Sequence, residues 1–101
     1  MKGDPMGHAH EVRLPSLGQT SDEMQIVRWY KKVGEPIAVA ERLLCVETDK
    51  AQVDVEAAES GVVLRILAEE GEVLREGDAV AFIGQPGDHI PPLERGDMTW
   101  H

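Results

Sequence analysis

The chain has 101 residues, of which 42% are hydrophobic and only 4% aromatic, and its 19 acidic and 10 basic residues give a formal net charge of −9. This length has room for one domain with one modest core. The excess of acidic residues argues against sequence-independent binding to nucleic-acid phosphates. No apolar run approaches the roughly eighteen residues that span a bilayer. Because no signal-peptide core follows the start, we expect a soluble, cytoplasmic protein of bacterial type that binds neither nucleic acid nor membrane.

Three regions follow one another along the chain. Residues 1–10 contain Gly, Pro and His and are predicted to be a tail or leader, and no carboxylate or thiol set joins the two histidines in a functional metal site. Residues 11–84 carry short apolar runs separated by Gly, Pro and charged residues, which predicts one β domain. Residues 85–101 lose this alternation and are predicted to be a Pro/Gly-containing linker or tail.

Alternation within the domain predicts eight short strands and no sustained amphipathic helix. The predicted strands are residues 12–14, 24–30, 36–39, 43–48, 51–56, 62–68, 72–74 and 79–83. Short strands at this spacing favour an all-β fold, a sandwich or flattened barrel.

The domain repeats itself when the chain is shifted by 37 residues. The shift pairs Val27 with Leu64, Trp29 with Ile66, Gly34 with Gly71, Glu35 with Glu72, Ile37 with Leu74, and Leu43 with Val80. Two similar halves predict two four-stranded antiparallel sheets related by a pseudo-twofold axis. Under the same shift Lys50 aligns with Gly87, which lies in the predicted linker or tail. We therefore expect the segment around Lys50 and the chain ends to lie at opposite ends of the molecule.

Lys50 lies in a polar stretch, residues 47–51, between an apolar run and an alternating run, which predicts the tip of a β-hairpin. An exposed lysine there is a poor catalyst but an accessible target for covalent modification, although the turn alone favours an ordinary solvated lysine. Lys2, Lys31 and Lys32 have no hairpin around them and are interpreted as surface charges. Cys45 has no cysteine to pair with and is interpreted as a strand filler.

The motifs together resemble the lipoyl domains of 2-oxo-acid dehydrogenase acyltransferases, over residues 12–84. The matching segments are LPSLG (14–18), IVRW (26–29), KVGE (32–35), ETDKA (47–51), SGVV (60–63) and EGEV (70–73). The ETDKA pentapeptide alone is weak evidence, whereas the ordered set at the family's spacing is specific.

The resemblance implies a cofactor and a role. In the family, the lysine of the ETDKA hairpin carries lipoate in amide linkage, and the resemblance implies that this lysine is Lys50 here. It also implies that Glu47, Thr48, Asp49 and Ala51 are recognised together with Lys50 as parts of the hairpin. It implies a carrier without catalytic residues or a metal site, monomeric when isolated. Its implied partners are a lipoate ligase or lipoyl/octanoyl transferase, a thiamin-diphosphate-dependent 2-oxo-acid dehydrogenase, an acyltransferase domain and dihydrolipoamide dehydrogenase. The loop at residues 18–23 is expected near the hairpin as a recognition loop or as a plain polar loop.

Two glycines, and one position where this sequence differs from the family, lie in predicted turns. Gly34 and Gly61 lie in turn contexts, where positive φ is the usual reason for glycine. The resemblance assigns them to presentation of the hairpin, although generic turn glycines would show the same pattern. Where the family often has Gly-Asp, this chain has Ala40-Glu41, which predicts a turn that avoids positive φ.

Three alternatives stay open at this point. A biotin carrier has a similar fold, but its hairpin typically places Met on both sides of the lysine, where this chain has Asp49 and Ala51. A glycine-cleavage lipoyl carrier is usually longer and has a different hairpin sequence. An unmodified lipoyl-like docking module would share the fold. The sequence names neither the acyl group nor whether the chain is a free-standing carrier or a fragment.

Overall fold

The computed structural model describes residues 8–17 and 22–90. Eight strands and no helix are found in these residues, as the alternation predicts. The strands are β1 (His10–Arg13), β2 (Glu23–Trp29), β3 (Pro36–Ile37), β4 (Arg42–Glu47), β5 (Gln52–Glu56), β6 (Gly61–Ile66), β7 (Val73–Arg75) and β8 (Ala79–Gly84). β3 is two residues shorter than predicted, because residues 38–41 form a tight turn in which the Glu41 N–H donates to the Ala38 carbonyl at 3.0 Å.

The strands form two four-stranded sheets, with orders β5-β4-β2-β7 and β1-β8-β6-β3. All neighbouring strands are antiparallel. The predicted sandwich of two four-stranded antiparallel sheets is therefore confirmed. β1 begins at His10, and the Ala9 N–H donates to the His89 carbonyl at 3.0 Å, so backbone pairing extends slightly beyond the predicted domain limits of 11 and 84.

The pseudo-twofold axis relates the two sheets in detail. A shift of 37 residues places β2, β3 and β4 on β6, β7 and β8, and the register irregularity between Ile26 and Arg28 recurs between Val63 and Arg65. β1 and β5 occupy corresponding outer positions of the two sheets, although the shift does not align them. Each sheet combines two of the strands β1–β4 with two of the strands β5–β8. The halves are therefore interlocked, and neither half forms a complete sheet alone.

The core lies between the sheets and is aliphatic. Its fully buried members include Leu43, Leu44 and Val46 of β4 and Val80 and Ile83 of β8, each one of the two inner strands of its sheet. Burial of these side chains stabilises the fold by roughly 25 cal/mol for each Å² of apolar surface removed from water. β4 is thus packed into the core, and it leads directly into the segment that carries Lys50.

The strand directions place the Lys50 segment at one end of the molecule. β2 starts beside it, where Gln25 pairs with Glu47, and β7 ends there, with Arg75 opposite Glu23. β8 therefore starts at this end and finishes at the other. The described ends of the chain meet at that far end, where His8 pairs with His89, as the repeat predicts.

Candidate functional site: the hairpin that carries Lys50

Lys50 lies at the tip of the β4–β5 hairpin. The last paired residues are Glu47 and Gln52, and the Thr48 N–H donates to the Ala51 carbonyl at 2.9 Å. Asp49 and Lys50 are thus the two central residues of a four-residue turn. Neither has positive φ, so this hairpin forms without the glycine that the commonest two-residue loops use.

The Thr48 hydroxyl holds the turn together. It donates to the Ala51 carbonyl at 3.0 Å and accepts hydrogen bonds from the N–H groups of Lys50 and Ala51, each at 3.2 Å. Thr48 is only 9% exposed, whereas the other residues of the turn are exposed. A structural role for Thr48 was missed by the sequence analysis, although a hydroxyl residue opening a turn is a known signal.

The Lys50 side chain is exposed, and no hydrogen bond or ion pair to it is found in the part of the chain that the structure describes. Glu47, Asp49 and Ala51 are exposed around it. The amine is therefore accessible, while the backbone that presents it is fixed.

An open groove of about 310 Å³ runs beside the hairpin. The acidic residues Glu23, Glu47 and Asp49 line it together with Val73, which is 54% exposed. Glu23 is the last residue of the predicted recognition loop. Residues 18–21 of that loop lie outside the described residues, and Asp22 approaches Arg75 at 3.8 Å.

The two predicted turn glycines have positive φ but do not lie at the hairpin. Gly34 (φ 96°) follows β2, and Gly61 (φ 153°) begins β6 beside Gly84. Both positions belong to the end of the molecule opposite Lys50. The structure therefore does not bring them together with the hairpin, and their direct effect is on the fold.

The prediction that the turn at Ala40 avoids positive φ is wrong, because Ala40 has φ 72°. Backbone hydrogen bonds impose this conformation: the Ala40 N–H donates to the Ala57 carbonyl at 2.8 Å, and the Ala57 N–H donates to the Glu41 carbonyl at 2.9 Å. The equivalent residue in the second half is Gly77, with φ 88°. The turn geometry is thus preserved although the glycine is not.

The competing lysines occupy different surroundings. The Lys31 Nζ lies 2.9 Å from Glu41 Oε2, and this contact lowers the pKa of the Glu41 carboxyl. Lys32 is exposed in the turn after β2, at the end opposite Lys50, and Lys2 lies outside the described residues. No group of three or more metal-ligating His, Cys, Asp or Glu side chains is found among the described residues. Those residues also contain no helix long and apolar enough to cross a membrane.

Residues 10–83 match a biotin/lipoyl family model whose description is "Biotin-requiring enzyme". The chain therefore belongs to the biotin/lipoyl family, the class of domains whose fold and exposed hairpin lysine are described above.

Within that family, the chain is similar to several proteins whose names refer to a lipoyl group. The chain is 37% identical over 75 residues to the dihydrolipoyllysine-residue succinyltransferase component of the 2-oxoglutarate dehydrogenase complex of Staphylococcus saprophyticus, covering 74% of this chain and 18% of that protein. It is 38% identical over 88 residues to the acetyltransferase component of the pyruvate dehydrogenase complex of Corynebacterium glutamicum, covering 87% and 13%. The chain thus spans less than a fifth of either relative.

A solved structure agrees with these relatives. The solution structure of the lipoyl domain of the 2-oxoglutarate dehydrogenase complex from Azotobacter vinelandii matches with a TM-score of 0.61 and 26% identity, covering 73% of this chain and 94% of that one. The resemblance to lipoyl domains inferred from the motifs is confirmed.

Proposed function

We propose that this chain is a lipoyl carrier domain in which lipoate is attached by an amide bond to Lys50. The loaded arm shuttles acyl groups and electrons between the active sites of a 2-oxo-acid dehydrogenase complex, and the domain itself is not a catalyst. The observation that carries this proposal is the exposed Lys50 at the tip of a hairpin held by Thr48, in the fold of a solved lipoyl domain.

The hairpin suits covalent loading by an enzyme. A ligase has to bring one amine to an activated acyl group in a closed site, which requires a lysine with a fixed backbone position. The two hydrogen bonds from Lys50 and Ala51 to Thr48 supply that position. Lys31, by contrast, is paired with Glu41 and only 20% exposed.

The surroundings of Lys50 also fit the uncharged product. Amide formation removes the positive charge of the lysine, and removing a charge from a buried ion pair would leave a costly unpaired partner. Glu47 and Asp49 are exposed to water, so neither carboxylate is left buried when Lys50 becomes neutral.

Bound lipoate supplies a dithiolane that accepts acyl groups and electrons. The domain tethers this group, which keeps it at high effective concentration near each active site. The partners that follow are a lipoate ligase or lipoyl/octanoyl transferase, a thiamin-diphosphate-dependent 2-oxo-acid dehydrogenase, an acyltransferase domain and dihydrolipoamide dehydrogenase. Glu23, Glu47 and Asp49 in the groove beside the hairpin favour partner surfaces that are basic.

The family description favours biotin as a second candidate cofactor. Two observations support lipoate instead. The relatives reported above carry lipoyl names, and Asp49 and Ala51 flank Lys50 where biotin hairpins typically have Met. Wild-type protein incubated with a biotin ligase should therefore stay unmodified, and Asp49→Met with Ala51→Met should permit some biotinylation. Efficient biotinylation of the wild type would reverse the choice.

The site is tested by comparing wild type with Lys50→Arg after incubation with lipoate and a lipoate ligase. We expect one lipoyl adduct on the wild type, located at Lys50 by peptide mass spectrometry, and none on the variant. Lys31→Arg is the matched control and should be modified like the wild type. An adduct on Lys31 or Lys32, or a yield of lipoyl adduct from Lys50→Arg equal to that of the wild type, would contradict the proposal.

A further inference from the structure

The connection between β1 and β2 is anchored at both ends to one short turn, the turn between β7 and β8. At the start of the connection, the Leu14 N–H donates to the Asp78 carbonyl at 3.0 Å and the Gly77 N–H donates to the Leu14 carbonyl at 2.8 Å. At its end, the Glu76 N–H donates to the Asp22 carbonyl at 3.0 Å. The β7–β8 turn therefore fixes where the connection leaves β1 and where it enters β2.

The second half of the repeat has the same anchor but a shorter connection. Ala57, directly after β5, bonds with the turn at Ala40 as Leu14, directly after β1, bonds with the β7–β8 turn. Three residues, 58–60, then lead from Ala57 to β6, whereas eight residues, 15–22, lead from Leu14 to β2. The extra length occurs only at the end of the molecule that carries the hairpin lysine. Since the fold makes the same crossing without it, this length favours a role in recognition.

Arg75 links the end of this connection to the groove beside the hairpin. It is opposite Glu23 in the pairing of β2 with β7, and it is exposed. Its Nη1 lies 3.8 Å from Asp22 Oδ2, and its Nη2 lies 3.7 Å from Glu23 Oε2. The Arg75 N–H donates to Asp78 Oδ2 at 3.0 Å, which fixes the backbone from which the side chain extends. One guanidinium thus lies within ion-pair range of two adjacent carboxylates.

A like charge lies on the other side of Glu23. Because Gln25 pairs with Glu47, the antiparallel register brings Glu23 towards the level of Asp49 in the hairpin turn, and both acidic residues line the groove. Like charges at neighbouring strand positions repel, whereas Arg75 attracts the Glu23 carboxylate from the β7 side. Exposed ion pairs contribute little to stability, so the effect of Arg75 is on the position of these carboxylates and not on folding.

We infer that Arg75 is a positioning residue for recognition, which holds Asp22 and Glu23 as one side of the surface that a basic face of a 2-oxo-acid dehydrogenase contacts. This inference rests on the proposed function of Lys50. Positioning and net charge predict opposite results when Arg75 is removed. The loss of its charge makes this end of the molecule more acidic, which by charge alone would strengthen the attraction of a basic partner. If the arrangement of the two carboxylates matters, the same change weakens recognition.

The test measures acylation of the lipoylated domain by the decarboxylating components of a pyruvate and a 2-oxoglutarate dehydrogenase complex, and uses whichever acylates the wild type. We expect Arg75→Gln to lower kcat/KM at least about threefold, mainly by raising KM for the domain. Arg75→Lys keeps the charge without the planar fork and should give an intermediate value. Arg65→Gln removes the same charge from an exposed position on β6 in the other sheet and should leave kcat/KM unchanged. An equal or higher kcat/KM in Arg75→Gln would overturn the inference.

A second comparison shows whether Arg75 acts through the two carboxylates. In a chain with Asp22→Asn and Glu23→Gln, adding Arg75→Gln should lower kcat/KM no further, because residues that act through one another are not additive. A further loss of the same size would overturn the positioning role.

Folding and loading are measured on the same proteins. Arg75→Gln should melt at the wild-type temperature and be lipoylated at the wild-type rate, and if it melts lower, Arg75→Lys carries the comparison. A wild type that is not lipoylated at Lys50 would contradict the proposed function. A wild type and an Arg75→Gln variant that are both lipoylated and then acylated equally well would contradict only the role of Arg75.

Discussion

Thr48 is the residue that most directly fixes the position of Lys50. One hydroxyl makes three hydrogen bonds within the turn, while the Lys50 side chain itself makes none with the described residues. The position of the lysine thus depends on a neighbour that is almost buried.

Replacing Thr48 with Val tests this role, because Val keeps the shape and loses the hydroxyl. We expect a loss of about 1 to 2 kcal/mol of stability, since two N–H groups lose their acceptor, and a lipoylation rate several-fold below wild type. Thr48→Ser keeps the hydroxyl and should retain most of the rate. The measurements are thermal melting and the initial rate of adduct formation by intact mass. Wild-type rates in Thr48→Val would show that the ligase imposes the turn itself.

Ala40 and Gly77 form a matched pair at equivalent positions with φ of 72° and 88°. A residue with a Cβ costs roughly 1 to 2 kcal/mol in this region, so Ala40→Gly should stabilise the domain by about 1 kcal/mol. Gly77→Ala should destabilise it by a similar amount, and because no atom lies within 4 Å of the added Cβ, the effect comes from the backbone alone. Denaturant unfolding midpoints measure both changes. Loss of stability in Ala40→Gly would contradict the explanation.

At the scale of the element, β6 and β8 approach each other closely at Gly61. A Cβ on Gly61 would lie 2.8 Å from the Gly84 carbonyl oxygen, closer than such contacts allow, whereas a Cβ on Gly34 would meet nothing within 4 Å. The first glycine is therefore needed for space and for φ, and the second for φ only.

We expect Gly61→Ala to destabilise the domain by roughly 1 to 3 kcal/mol and more than Gly34→Ala, which carries backbone strain without a clash. Because both sites lie at the end opposite Lys50, folded protein of either variant should be lipoylated at the wild-type rate. Urea unfolding and adduct formation under native conditions separate the two effects. Slow lipoylation of a fully folded Gly61→Ala would mean that this turn acts on the hairpin after all.

At the scale of the whole molecule, the interlocked sheets separate two ends that carry different groups. The Lys50 hairpin and its acidic groove form one end, and the described chain ends meet at the other. In the proposed function, this arrangement would let the end that carries Lys50 enter a partner's active site without hindrance from the described chain ends.

The groove should contribute to recognition by a 2-oxo-acid dehydrogenase. We expect the lipoylated domain to be acylated far faster than free lipoamide, because protein contacts supply binding energy in the transition state. We expect Glu23→Gln to lower the acylation rate several-fold, because one charged contact with the partner is lost. The rate of lipoylation should stay unchanged. Glu59→Gln removes the same charge at the far end and serves as the control. If the two variants lower the acylation rate equally, the change is due to net charge and not to the groove. If the lipoylated domain is acylated no faster than free lipoamide, a docking module is favoured over a carrier.

Local patterns in the sequence were sufficient to predict the eight strands, their duplication and the hairpin that carries Lys50, because strand alternation and turn composition act over a few residues. The ETDKA segment likewise pointed to Lys50 through its immediate neighbours. The positive φ of Ala40, the contact between Gly61 and Gly84, and the hydrogen bond from Tyr30 to Asp54 were decided by the tertiary structure. Each depends on backbone or side-chain groups that lie far apart in the chain. Only the register of strand pairing within the sheet brings Ala57 to Ala40 and Asp54 to Tyr30, and the local preferences of alanine or tyrosine do not determine that register.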